Sequence, residues 1–145
     1  MDIVKLVADA WGWKGLRPKT VIDHNAFGNL IICDDDGVYW RICPEELSCS
    51  VVARTDAEYR DLRRSEDFRR DWEMPALVKA ASDIFGPLPE GRCYCLKIPA
   101  VLEGAYEPAN FGTISISELT SFAGDMARQI NDAPNGTKVR LKFID

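Results

Sequence analysis

Residues 28–43 read Gly-Asn-Leu-Ile-Ile-Cys-Asp-Asp-Asp-Gly-Val-Tyr-Trp-Arg-Ile-Cys, and the fold of the first half follows from them. Two apolar runs flank the segment Asp34–Gly37, and an Asp-Gly step between such runs is a strong signal for a tight turn in a β-hairpin. Thr20–Asp23 and Ser48–Ala53 are further short strand-like segments on either side. We therefore predict an antiparallel meander, with Pro44–Leu47 as a single helical turn before its last strand.

Helices are predicted before and after this meander. Apolar residues at helical spacing indicate a short opening helix over Ile3–Trp11. Thr55, followed three residues later by Glu58, is a capping-box signal for the start of a second helical region. That region extends to Phe85, and Pro75 is expected to break or kink it because proline removes a helical hydrogen bond.

The last third of the chain returns to mixed structure. In chain order we predict a strand at Arg92–Ile98, a loop at Gly104–Gly112, a strand at Thr113–Ile116, a helix capped by Ser115 or Ser117, and a half-buried strand over 139–144. The result is an α+β fold, with an antiparallel meander in the N-terminal half and helices and further strands in the C-terminal half. We expect one compact unit with a seam near Arg54.

Length and charge limit the classes of protein that the chain can represent. Its 145 residues suit one domain, and a net charge of -5 argues against direct binding to nucleic acid, which needs a basic surface. The arginine-rich stretch 54–73 carries six positive and seven negative charges, so it predicts a solvated helix face. No apolar run approaches the roughly 18 residues of a membrane helix. The N-terminus lacks signal-peptide features, so we expect a cytoplasmic protein.

Few residues are suited to catalysis or metal binding. His24 is the one histidine, and the five cysteines include no Cys-x-x-Cys pair. Their apolar neighbours indicate reduced, buried thiols. A zinc site at Cys93 and Cys95 would need two more ligands, with a single imidazole to draw on. We therefore expect no enzymatic activity, no metal and no cofactor.

Short motifs in both halves of the chain resemble one known family. In the first half they are Trp-Gly-Trp at 11–13, Phe-Gly-Asn-Leu at 27–30, Gly-Val-Tyr-Trp-Arg-Ile at 37–42 and Pro-Glu-Glu-Leu-Ser at 44–48. In the second half they are Phe-Gly-Pro-Leu at 85–88, Cys-Tyr-Cys-Leu-Lys-Ile-Pro at 93–99, Gly-Ala-Tyr at 104–106 and Gly-Thr-Lys-Val-Arg-Leu at 136–141. Together they resemble bacterial type VI secretion immunity proteins that protect against DNase toxins. In that family a GAD-like N-terminal region precedes a smaller C-terminal domain.

The resemblance implies a role and a partner but supplies no active site. It implies that the chain binds a toxin effector made by the same cell, a nuclease, and neutralises it by direct contact. Residues 1–54 would then be a truncated GAD-like region, and residues 55–145 the immunity C-terminal region. Two departures from the family pattern are the short N-terminal region and Cys95, which stands where a glycine is expected.

Candidate toxin-binding residues follow from the charge that such a partner would carry. A nuclease holds DNA on a positive surface, for which an acidic inhibitor can compete. The candidates are Asp34, Asp35, Asp36, Glu45, Glu46, Glu103, Tyr106 and Glu107. The alternative interpretation of the aspartate run is a turn that is simply solvated. Aromatic residues that could anchor an interface are Trp11, Trp13, Tyr59, Trp72 and Tyr106. Trp11 and Trp13 could instead pack in the core, and Trp40 is expected there.

Two other functions remain open at the level of sequence. One is a regulatory or scaffold module that uses its acidic surface to bind a partner that is not a toxin. The other is an enzyme that uses Cys93, Cys95 or His24, although no set of nucleophile, base and orienting group is evident around them.

Overall fold

The computed structural model describes residues 2–133, which form five α-helices, a four-stranded sheet and a two-stranded sheet. Helix α1 (Ile3–Trp11) occupies the predicted residues. It begins where it does because the carboxylate of Asp2 accepts hydrogen bonds from two backbone N–H groups of its first turn. A 3₁₀ turn at Gly12–Lys14 ends the helix and leads into the first strand.

The larger sheet confirms the predicted meander. Its antiparallel strands pair in chain order: β1 (Pro18–His24), β2 (Leu30–Asp34), β3 (Tyr39–Cys43) and β4 (Ser48–Ala53). Asp34 closes the β2–β3 turn, since its Oδ1 atom accepts hydrogen bonds from the backbone N–H groups of Asp36 and Val38 at 2.8 and 2.9 Å. The helical turn expected after β3 is a 3₁₀ turn at Pro44–Glu46.

Helices cover both faces of this sheet, because successive strand side chains point to opposite sides. On one face, α1 and the last helix complete a core formed by Val7, Trp11, Leu16, Leu30, Ile32, Ile42, Cys49, Ala123 and Ala127. On the other face, two central helices complete a core formed by Ile31, Tyr39, Ala53, Tyr59 and Trp72. Within that second core the rings of Tyr39 and Tyr59 stack with centroids 4.3 Å apart.

Three consecutive helices follow β4: α2 (Asp56–Arg64), α3 (Glu66–Glu73) and α4 (Pro75–Phe85). Thr55 caps α2 as predicted, its hydroxyl accepting from the N–H of Glu58 at 3.1 Å. The carboxylate of Glu58 accepts in return from the N–H of Arg54 at 2.7 Å, one residue before the cap. The predicted break falls at Met74, whose left-handed backbone (φ 47°) joins α3 to the proline that starts α4.

The smaller sheet pairs β5 (Arg92–Leu96) with β6 (Phe111–Ser115) in antiparallel fashion. Together with α4 it encloses a third core formed by Phe27, Ala81, Tyr94, Leu96 and Phe111. Strand β5 ends two residues earlier than predicted, because the N–H of Ile98 donates to the Asn110 side chain rather than to a strand. Phe111 and Gly112 belong to β6, although the sequence predicts a loop there.

Helix α5 (Ile116–Asp132) returns across the sheet to pack on α1. Ser115 is its cap, accepting from the N–H of Glu118 at 3.1 Å. The two helices approach closely at Gly124, where a Cβ atom would lie 2.4 Å from the carbonyl oxygen of Ala10. Both halves of the chain therefore contribute to the first of these cores, and the boundary proposed near Arg54 remains a prediction.

The last predicted strand and the predicted absence of a membrane helix are the two remaining expectations from the sequence. The strand predicted over 139–144 lies outside the described residues. Among residues 2–133, no helix combines the length and the apolar character needed to cross a membrane.

Candidate functional site

A groove of about 560 Å³ lies where the helices leave one face of the larger sheet uncovered. Its floor includes Arg41 of β3 and Ser50 of β4, which are register partners on that face. One wall is formed by the junction of α3 and α4, through Asp71 and Met74. Tyr106, from the loop between β5 and β6, also lines it. The groove thus joins both halves of the chain.

Arg41 is held rigidly on the floor of this groove. Its Nε and Nη2 atoms donate to Oδ1 of Asn29 at 3.1 and 2.9 Å, and its Nη1 atom donates to Asp71. The guanidinium group also lies 5.2 Å from the centre of the Trp72 ring, within the range of cation–π attraction. These contacts fix a planar cation whose side chain is only 13% exposed.

Asn29 links this cation to a buried anion. Its Nδ2 atom donates to both carboxylate oxygens of Glu45, at 3.1 and 3.0 Å, and Asn29 itself has no exposed surface. Sequence reasoning missed both Asn29 and Arg41. The available signal was a charged residue in the middle of an apolar strand, since a buried charge requires hydrogen-bonding partners nearby.

Tyr106 and Glu46 form the contact between the two sides of the site. The Tyr106 hydroxyl donates a hydrogen bond to Oε1 of Glu46 across a separation of 60 residues in the chain. Burial, together with the hydrogen bond to Glu46, raises the pKa of Tyr106, so the phenol remains a donor at neutral pH. Glu103 and Glu107 are exposed on the same loop as Tyr106. Of the predicted site residues, the structure therefore brings Glu45, Glu46 and Tyr106 together around the groove.

The aspartate run lies at the tip of the β2–β3 hairpin and has two different environments. Asp34 is 8% exposed and also accepts from Nε1 of Trp40 at 2.9 Å. Burial acts to raise the pKa of Asp34, but hydrogen bonds from Trp40, Val38 and Asp36 outweigh it and the pKa is lowered. Asp35 and Asp36 are exposed, with Asp36 lying 3.4 Å from Nη2 of Arg17.

The predicted acidic residues therefore form two separate groups. The hairpin tip precedes β3, whereas Glu45 and Glu46 follow it, so the length of this strand separates them. At roughly 3.3 Å per residue, that separation exceeds about 13 Å. Direct contact with a partner is disfavoured for Asp34 and Glu45, which are 8% and 5% exposed and use their carboxylates internally. The predicted site residues that are exposed, and so remain candidates for contact with a partner, are Asp35, Asp36, Glu46, Glu103, Tyr106 and Glu107.

Most of the aromatic residues considered as interface anchors belong to the cores instead. Tyr59 and Trp72 are buried, so the expectation for these two is wrong. Trp11, for which both interpretations were open, is fully buried in the first core. Trp13 is half-buried and donates from Nε1 to the carbonyl of Ala10 at 3.0 Å. Tyr106 is the anchor candidate that stays exposed, at 41%. Trp40 packs against the first core, as expected.

Of the residues considered as nucleophile or base, Cys93 is buried, Cys95 is half-buried and His24 is exposed. Burial raises the pKa of Cys49 and of Cys93 to about 12 each, so both remain thiols at neutral pH. The carboxylate of Asp23 accepts from the backbone N–H of His24 at 2.8 Å and pairs with Arg63. Over residues 2–133, no three His, Cys, Asp or Glu side chains are grouped so as to hold a metal ion.

The described residues form a small, compact α+β protein with an open groove on its larger sheet. Residues 53–127, just over half of the chain, match the family described as T6SS immunity protein Tdi1, C-terminal. The chain belongs to this family of type VI secretion system (T6SS) immunity proteins. No curated protein matches it.

The family assignment confirms the immunity class that the sequence motifs suggested. The chain is an immunity protein that neutralises a toxin effector, and proteins of this kind are generally non-enzymatic. The match begins at the last residue of β4 and ends within α5. The matched residues therefore include the loop that carries Tyr106, but not Arg41, Glu46 or the hairpin tip.

Proposed function

We propose that this chain neutralises a DNA-cleaving toxin by binding it directly, with no chemical turnover. The observation that carries the proposal is the family match over residues 53–127. The nuclease class of the toxin is supported by charge, because a protein that holds DNA must present a positive surface. The exposed carboxylates of Glu46, Glu103 and Glu107 are suited to compete for such a surface.

The same proposal assigns roles to the two parts of the chain. Residues 1–54 form a GAD-like region, and residues 55–145 form the immunity C-terminal region. The hydrogen bond from Tyr106 to Glu46 supports joint action of the two, because it links a loop of the second to a turn of the first. The complex forms in the cytoplasm, where the toxin is made and would otherwise reach the cell's own DNA.

The proposal is tested by purifying the full chain together with the toxin encoded beside its gene. We expect a stable complex without nuclease activity, and recovery of DNA cleavage once the complex is dissociated. Unchanged DNA cleavage in the presence of excess immunity protein would contradict the proposal. Capture of a partner that has no toxic activity would instead favour a regulatory or scaffold module with an acidic binding surface.

A further inference from the structure

We propose that the toxin docks on the loop between β5 and β6, residues 97–110, called here the Tyr106 loop. In this proposal Ile98, Val101 and Tyr106, which are all exposed on the loop, supply the apolar centre of the surface, and carboxylates supply its rim. The inference rests on the proposed function, because it takes the toxin as the occupant. The toxin surface that fits has a shallow apolar centre surrounded by lysine or arginine side chains.

Exposed apolar side chains are concentrated on this loop. Seven large hydrophobic residues of the described chain are exposed, and three of them are Ile98 at 40%, Val101 at 52% and Tyr106 at 41%. A fourth, Phe122 of α5, lines the same small cavity as Pro99 of the loop. Single exposed apolar residues are ordinary, but a group of them rimmed by charge is typical of a protein interface.

The rim of charge around this apolar centre is predominantly negative. Residues 97–110 include the carboxylates of Glu103 and Glu107 and a single cation, Lys97, at the first position of the loop. Glu46, bound to the hydroxyl of Tyr106, adds a third carboxylate beside the loop. A rim of this kind repels acidic partners and attracts basic ones, which matches the surface that a DNA-binding toxin must carry.

The loop is held in shape before any partner binds. The Asn110 side chain donates to the carbonyl oxygens of Ile98 and Ala105, each at 2.9 Å, and accepts from the N–H of Ile98 at 2.9 Å. Gly104 packs so closely that a Cβ atom there would lie 1.8 Å from the Ile98 carbonyl oxygen. Glu103 adopts a left-handed conformation (φ 69°) that only a well-determined loop maintains. Such pre-organisation reduces the entropy lost on binding.

The test is a binding titration of the full chain with the adjacent-gene toxin, made inactive by substitution in its nuclease site. We expect Val101→Asp and Tyr106→Ala each to raise the dissociation constant by at least about tenfold, mainly through faster dissociation. The matched control is Ile84→Asp on α4, where the side chain is 50% exposed and lies outside the loop. Unfolding midpoints measured for each variant confirm that the fold is intact.

The outcomes separate this inference from the proposed function. If the wild-type chain binds the toxin and the loop variants bind equally well, the loop is not the docking surface, while the proposed function stands. If Ile84→Asp weakens binding as much as Val101→Asp, the specific assignment to the loop is overturned. If the wild-type chain shows no affinity for the toxin, the proposed function itself fails.

Discussion

Asn29 is the residue on which the groove's polar network depends. It accepts from Arg41 and donates to Glu45 while having no exposed surface of its own. Replacing it with alanine removes hydrogen-bond partners from the buried carboxylate of Glu45 and from the guanidinium group of Arg41. This loss destabilises the folded state because water cannot replace the missing partner of a buried charge. We expect Asn29→Ala to lower the free energy of unfolding by about 2–4 kcal/mol, measured by urea denaturation. Asn131→Ala, on the exposed surface of α5, is the control and should change it by less than about 0.5 kcal/mol.

Asp34 has a structural role that depends on pH. Its pKa is lowered in the folded protein, so the carboxylate contributes stability at neutral pH. That contribution is lost as the pH falls from about 4 through the lower folded pKa. We expect Asp34→Asn to cost about 1–3 kcal/mol at pH 7, because an amide N–H₂ then faces Nε1 of Trp40.

Urea midpoints at pH 7 and pH 3 provide the measurement for Asp34. The variant should lose less stability than the wild type between these two values. Asp35→Asn is the control, since Asp35 is exposed. Equal pH dependence of Asp34→Asn and the wild type would show that this carboxylate is not linked to folding.

At the scale of elements, the contact between α1 and α5 depends on a helical glycine. In the interior of a helix, alanine is normally more stabilising than glycine by up to about 1 kcal/mol. At Gly124 the added Cβ would lie 2.4 Å from the Ala10 carbonyl oxygen, which is backbone and cannot rotate away. We therefore expect Gly124→Ala to destabilise the protein by about 1–3 kcal/mol. Ser121→Ala, on the exposed side of the same helix, should be neutral or slightly stabilising, and thermal unfolding of both variants would reveal the difference in sign.

The elements themselves could be predicted wherever their ends are encoded locally. The β2–β3 turn follows from Asp34–Gly37, and the start of α2 follows from Thr55, because each turn or cap is formed by residues a few positions apart. The Tyr106 loop was harder to predict. Its bounds depend on Asn110, whose side chain bonds to Ile98 twelve residues away, and no local pattern reports such a contact.

At the scale of the whole molecule, the residue types of the site could be predicted but not their arrangement. The charge of the chain indicated acidic residues, and the loop sequence around Tyr106 indicated an exposed tyrosine. The contact between Glu46 and Tyr106 joins residues 60 positions apart, so it exists only after the two sheets have packed together. The burial of Trp72 was missed, and that of Trp11 was left open, for the same reason, since each residue lies at the surface or in a core depending on which element packs against it.

The separation of the two acidic groups predicts different kinetic roles for them. Asp35 and Asp36 lie at the hairpin tip, at the far end of β3 from Glu46, so they can attract a basic toxin without forming part of the docking surface. We expect Asp35→Lys combined with Asp36→Lys to slow association about tenfold at low ionic strength and to leave dissociation nearly unchanged. Salt at about 1 M should remove the difference in association rate between the variant and the wild type, because the Debye screening length is then about 3 Å.

Glu73→Lys combined with Glu90→Lys is the matched control, because it changes the net charge equally at exposed positions elsewhere. Association rates at several salt concentrations, measured by stopped flow with the inactive toxin, decide between two explanations. If only the hairpin variant slows association, the field at the tip steers the toxin. If both variants slow it equally, the overall negative charge is responsible and the tip has no special role. If neither variant changes the association rate, electrostatic steering is excluded as an explanation. The direct contacts of the Tyr106 loop would then have to account for recognition.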